Sequence, residues 1–111
     1  MVSFMANQLD TAFQALSDPT RRAVLERLTT GPAAVSELAA PFDMALPTFL
    51  RHLKVLEASG LVRSEKTGRV RTVHIEAAPL SRMQDWIALQ KRTWERRADR
   101  LKALAESLPK E

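Results

Sequence analysis

Between positions 47 and 71 the cations are spaced as a polyanion-binding surface requires. If Phe49, Leu53 and Leu56 form the buried stripe of a helix, a rotation of about 100° per residue points Pro47, Arg51 and Lys54 outward, with Thr48 and Leu50 flanking them. Arg51 is suited to a base edge, because a guanidinium can pair with both O6 and N7 of guanine. Lys54 suits a phosphate, a contact that positions a protein without specifying a sequence. Thr48, in the first turn, can bond a phosphate or touch a thymine methyl. Further on, Arg63, Lys66, Arg69 and Arg71 crowd a predicted hairpin. Lys66 and Arg69 flank its turn and are the best placed to reach a backbone or a minor groove. The competing reading of all these cations is solvated surface, and it weighs most on Arg63 and Arg71.

Two more arginines are out of place electrostatically. Arg21 and Arg22 lie in the first turn of a predicted helix, where the dipole disfavours cations. They call for an anionic neighbour, and a carboxylate within the fold is preferred here over a nucleic-acid phosphate.

Other chemistries lack their residues. Cysteine is absent, which removes disulfides, thiol catalysis and thiolate metal sites. The 3 glycines are scattered and form no phosphate loop, and no motif organises serine and histidine into a nucleophile–base pair. The 2 histidines, His52 and His74, lie away from the last helix, so its Asp85, Glu95 and Asp99 have no imidazole partner. Carboxylates alone favour hard cations. Accordingly no enzyme activity, regulatory metal or cofactor is expected. His52 reads as a structural or backbone-bonding residue, and His74 as a strand residue facing solvent.

The elements that must hold these residues follow from periodicity. Leu9, Ala12, Phe13 and Leu16 mark one helical face from Gln8 to Leu16, with Asn7 as its cap. Asp18-Pro19 opens a second helix, a capping side chain followed by proline where no N–H is needed. That helix stops before Gly31-Pro32. A third covers Val35 to Ala40, and a fourth covers 46–59, ending at Gly60. The period then changes to two: strands at Val62–Lys66 and Val70–Ile75, with Thr67-Gly68 between them, form a wing over 62–75. The final helix spans 80–108. Leu80, Ile87, Trp94, Leu101 and Leu108 repeat every seven residues on it, with Met83 and Leu104 on an adjoining row interrupted by Gln90 and Arg97.

At 111 residues there is room for a single domain, 1–111, with helices and wing in 8–76 and the long helix behind them. A helix this long cannot cover its whole stripe against so small a body, and a second copy is the simplest partner. The expected dimer interface comprises Leu9, Phe13, Leu80, Met83, Ile87, Trp94, Leu101, Leu104 and Leu108. Trp86 and Trp94 read as dimer-core residues, the alternative being a small-molecule pocket lined by one of them. No apolar run approaches the ~20 residues that cross a bilayer. The apolar start Met1–Met5 carries no basic region or cleavage pattern, so a cytoplasmic protein with no membrane partner is expected. The net charge is +4. Residues 1–43 hold three cations against five anions, whereas 44–76 hold six against three and 77–108 seven against four. The basic excess therefore lies in the last two-thirds of the chain, shared between a middle region and the terminal helix.

The expected fold is thus mainly α with a small β-hairpin, in the order α-α-α-α-β-β-α: a winged helix-turn-helix dimerising through terminal helices. Three runs carry a family resemblance. Leu50-Arg51-His52-Leu53-Lys54-Val55-Leu56-Glu57-Ala58-Ser59-Gly60-Leu61-Val62 resembles the recognition-helix signature of the ArsR/SmtB family. Ala15-Leu16-Ser17-Asp18-Pro19-Thr20-Arg21-Arg22-Ala23-Val24-Leu25 is similar to that family's first block, and Val35-Ser36-Glu37-Leu38-Ala39 to the start of its positioning helix. The resemblance implies a homodimeric repressor that sets two recognition helices in successive major grooves of double-stranded operator DNA. It also implies departures: Leu50 stands where a small polar residue is common, and Ala45 where serine often caps the helix. Leu50 can replace the lost polar contact with an apolar one to a thymine methyl. The metal-sensing residues of other members are missing, which leaves a small-molecule or protein effector open. The alternative reading is a winged-helix protein–protein interaction module without specific DNA binding.

Overall fold

A computed structural model describes residues 4–109; residues 1–3, within the apolar start, lie outside the described residues. Helix α1 (Phe4–Ala15) starts three residues before Asn7, which therefore lies inside the helix rather than capping it. Met5 and Ala6 favour helix and no breaker intervenes. Buried Ala12 and Ala15 let its inner face approach its neighbours closely, while Leu9, Phe13 and Leu16 are partly buried.

Helix α2 (Pro19–Leu28) begins as its residues dictate: Asp18 is extended, its carboxylate accepts from the Arg21 backbone N–H at 3.1 Å, and Pro19 follows. Burial pushes the Asp18 carboxyl up, but that N–H and the nearby charges of His52 and Arg21 outweigh it and hold the group below its ordinary value of 3.8. A carboxyl lowered in the folded state contributes stability that is present above its unfolded pKa and lost as pH falls through the folded one. Asp18→Ala is therefore expected to cost about 1 kcal/mol in urea unfolding at neutral pH. The gap between variant and wild type should close as the pH drops below the ordinary carboxylate range; a gap that persists there would assign the cost to something other than the charged cap.

After Gly31-Pro32 the chain forms β1 (Ala33–Ala34), then α3 (Val35–Ala39). The Ala34 N–H donates to the Glu37 carboxylate at 3.4 Å, half of a capping box, since alanine has no side-chain oxygen to complete it. Helix α4 (Leu46–Ala58) follows with Ala45 at its cap, without a side-chain bond, and Pro47 in its first turn. Gly60 ends it at φ 79°, the left-handed conformation that a helix terminus favours.

The wing is β2 (Val62–Thr67) and β3 (Val70–Ile75), paired antiparallel. Thr67 pairs with Val70, so the two loop residues are Gly68 and Arg69 rather than Thr67 and Gly68. Gly68, at φ 62°, takes the first loop position, where a tight hairpin needs a positive φ. β1 pairs with β3 (Ala33 with Val73, Ala34 with Thr72), giving a three-stranded sheet of order β1-β3-β2 where only a hairpin was expected.

The core lies between α2, α3, α4 and the root of the wing: Val24, Leu25, Leu28, Leu38, Phe49, Leu53, Leu56, Leu61, Val62 and Val73 are all buried. Helix α5 (Ala77–Ser107) starts three residues earlier than expected, because Pro79 fits a first turn, where its missing N–H costs nothing. Its 31 residues make it about 46 Å long. Only Pro79 and Met83 are buried on it, and from Leu89 to Pro109 every residue is exposed. The helix is an arm, and the molecule measures 77 × 32 × 23 Å.

Candidate nucleic-acid interface

Because Phe49, Leu53 and Leu56 are buried, the opposite side of α4 faces out. Pro47, Leu50, Arg51 and Lys54 are exposed there, together with Leu46 at 54%. Thr48 is half-buried rather than presented, which narrows the polar contacts at the helix start to its neighbours. Among the described residues no ion pair engages Arg51 or Lys54.

Helix and wing share one surface. A recess of about 270 Å³ is lined by Leu50, Leu53, Lys54 and Glu57 from α4 and by Arg71 from β3. Glu57 links its two walls: its carboxylate accepts from the Arg71 guanidinium at 2.5 Å and from the Ser64 hydroxyl. Sequence reasoning missed Glu57 and Ser64. The available signal was an acid on α4 set against a hairpin rich in arginine. On the far side of the wing, Arg69, Val70 and Arg71 line a second recess with Ala34, Val35 and Ser36, so the wing lies beside the start of α3. Lys66 and Arg69 are exposed at the ribbon's end, and no ion pair holds either of them among the described residues. Arg63 is engaged differently: Glu65 and Glu76 both accept from it, and these bonds raise its already high pKa.

Similarity to known proteins agrees with this geometry. Residues 16–65 match a helix-turn-helix domain family. The HTH-type transcriptional regulator Rv2034 of Mycobacterium tuberculosis is 41% identical over 75 residues, 68% of this chain and 70% of that protein. The transcriptional repressor SdpR of Bacillus subtilis is 25% identical over 79 residues, 71% of this chain and 88% of that one. The crystal structure of an ArsR family transcriptional regulator is 56% identical with a TM-score of 0.79, covering 86% of this chain and 97% of that one. The chain belongs to the ArsR/SmtB family.

Members of the ArsR/SmtB family are DNA-binding transcriptional regulators and not enzymes, and the fold of this member is a winged helix-turn-helix with α3 and α4 as its paired helices. Its α4 is anchored from behind by Arg21. The Arg21 Nε donates to the Ala15 carbonyl at 2.6 Å, Nη2 donates to the Gln14 carbonyl at 3.3 Å, and Nη1 lies 3.1 Å from the Nδ1 of His52. Arg22 likewise donates to the Leu16 carbonyl at 2.8 Å. The anionic neighbour expected for these arginines is therefore chiefly the carbonyl end of α1, the negative pole of its dipole, rather than a carboxylate. His52 is structural as expected, though its partners are the Arg21 side chain and, at 3.7 Å, Asp18. His74 is half-buried beside Glu65 at 3.6 Å instead of facing solvent.

The predicted interface residues divide in two. Leu80 packs on the protomer's own core and Met83 is buried within the protomer at 7% exposure. Ile87, Trp94, Leu101, Leu104 and Leu108 are 50–65% exposed. Leu9 and Phe13 line an open groove with Asp10 and Trp86, where Phe13 meets Trp86 edge-on at 5.8 Å.

Proposed function

We propose that the protein is a homodimeric repressor of transcription that binds an inverted-repeat operator. Each α4 enters a major groove, and the two half-sites lie about one helical turn, ~34–36 Å, apart. Arg51 reads a base edge, and Leu50 and Pro47 supply apolar contacts beside it. Lys54 meets phosphate, and Lys66 and Arg69 hold the flanking backbone or minor groove. Arg71, paired with Glu57, contributes chiefly by setting the wing's angle to α4. The reading rests above all on one observation: Lys54 of α4 and Arg71 of the wing line a common recess, with Glu57, paired to Arg71, between them. The exposed stripe of α5, with Leu9 and Phe13 of α1, is the proposed subunit contact. The repressor role is supported by the likeness to the Bacillus repressor, and a cytoplasmic site of action goes with a DNA target.

The test is fluorescence-anisotropy binding to the DNA upstream of the protein's own gene and to a scrambled duplex, across a salt series. Preference for the upstream DNA that survives physiological salt, at one dimer per site, is expected. The affinity should fall steeply with salt, because phosphate contacts release counterions. Equal and salt-fragile binding to both duplexes would count against an operator there and favour an interaction module.

A further inference from the structure

The apolar stripe of α5 is broken by two polar residues, and these point to how it is covered. Arg97 stands on that stripe with Trp94, Leu101 and Leu104 around it. Among the described residues no carboxylate pairs with it. The groove between α1 and α5, about 480 Å³, has the opposite composition: Leu9, Phe13 and Trp86 form apolar walls around the carboxylate of Asp10. Asp10 too has no ion pair among the described residues, and covering such a groove would strand its charge unless a cation came with the cover. Within one chain Arg97 cannot supply it. It lies eleven residues beyond Trp86, or about 16 Å farther along the helix.

We propose that the two α5 helices of the dimer run antiparallel, centred on Arg92, so that Arg97 of each protomer pairs with Asp10 of the other and closes its groove. This rests on the dimer proposed above. An antiparallel seam sets one row of the heptad against the other. Centred on Arg92, it places Ile87 against Arg97 of the partner subunit, Trp94 against the partner's Gln90 and Leu101 against the partner's Met83. The same centre is the midpoint of Ala77–Ser107, so the register that matches the rows also gives the greatest overlap. Ile87 adjoins Trp86, and the guanidinium that faces it is thereby delivered to the groove. A parallel pair would instead place Arg97 against Arg97 and leave Asp10 without a cation.

The test uses the full-length variants Asp10→Lys and Arg97→Glu in sedimentation equilibrium, with circular dichroism to confirm that both fold. Each variant alone should dimerise more weakly than wild type, by about tenfold or more, since like charges then face each other. An equimolar mixture should recover the wild-type dissociation constant, because a heterodimer has lysine facing glutamate at one contact and Asp10 facing Arg97 at the other. The milder Asp10→Asn and Arg97→Gln should each weaken the dimer less, and their mixture should recover only in part. Their heterodimer keeps one Asp10–Arg97 pair and sets asparagine against glutamine at the other contact. A dimeric wild type whose charge variants neither weaken it nor rescue each other would overturn this register and leave the dimer standing. A monomeric wild type would overturn both.

Discussion

Phe49→Ala is expected to destabilise the protein by about 3–5 kcal/mol, a large share of the 5–15 kcal/mol typical of a domain. Phe49 is 1% exposed, and its ring lies 5.7 Å from that of Phe42. Truncation removes the transfer energy of the ring and leaves a cavity between α4 and its neighbours. Urea unfolding followed by far-ultraviolet circular dichroism measures the loss, at one fixed protein concentration because association also contributes. Leu46→Ala, on the exposed side of the same helix, should change stability by no more than about 0.5 kcal/mol. If the two variants behaved alike, the buried stripe of α4 would be misassigned. The outward placement of Arg51 and Lys54 would fall with it, since that placement is defined by the stripe.

Arg51→Ala is expected to cost about 1–3 kcal/mol of operator binding and to flatten the preference for operator over scrambled DNA. Lys54→Ala should behave differently, weakening binding to both duplexes and reducing the salt slope by about one. The contrast follows from geometry and chemistry together: both side chains are exposed on one face, but only the guanidinium offers paired donors to a guanine. Anisotropy titrations at several salt concentrations separate the two outcomes. An Arg51→Ala protein that kept full sequence preference would move base reading to other residues of α4.

Most of the helical architecture was legible because it depends on local signals. Asp18-Pro19, Gly31-Pro32 and Gly60 punctuate the chain by backbone geometry alone, and the stripe of Phe49, Leu53 and Leu56 needs only the helical period. What stayed hidden depends on partners distant in sequence. β1 is two alanines with no strand preference, and it exists because Val73 and Thr72 offer it a free edge. The hairpin loop shifted by one residue because only the pairing of Thr67 with Val70 decides which residues Gly68 joins. Met83 and Leu80 carry the same apolar pattern as Ile87 and Trp94, and nothing in that pattern says that the first two meet the protomer's own body. For the site, the cations of α4 were readable from rotation about the helix. The Glu57 link to Ser64 and Arg71 was not, since it joins α4 to the wing through the tertiary fold.

The three-stranded sheet has a consequence of another kind. β2 forms one edge of it, and on the other side β1 reaches only as far as the pair Ala34 and Thr72, so the end of the wing is a two-stranded ribbon with both borders open. Val70 is 52% exposed there, and an uncovered ribbon is a template onto which another chain can add a strand. Lys66 and Arg69, which no ion pair engages among the described residues, repel such an approach by like charge. The cations proposed to grip DNA thus also act as gatekeepers against aggregation. Salt concentrated enough to release the operator also screens that repulsion, so the protein is least protected against self-association under the conditions in which it is free of DNA.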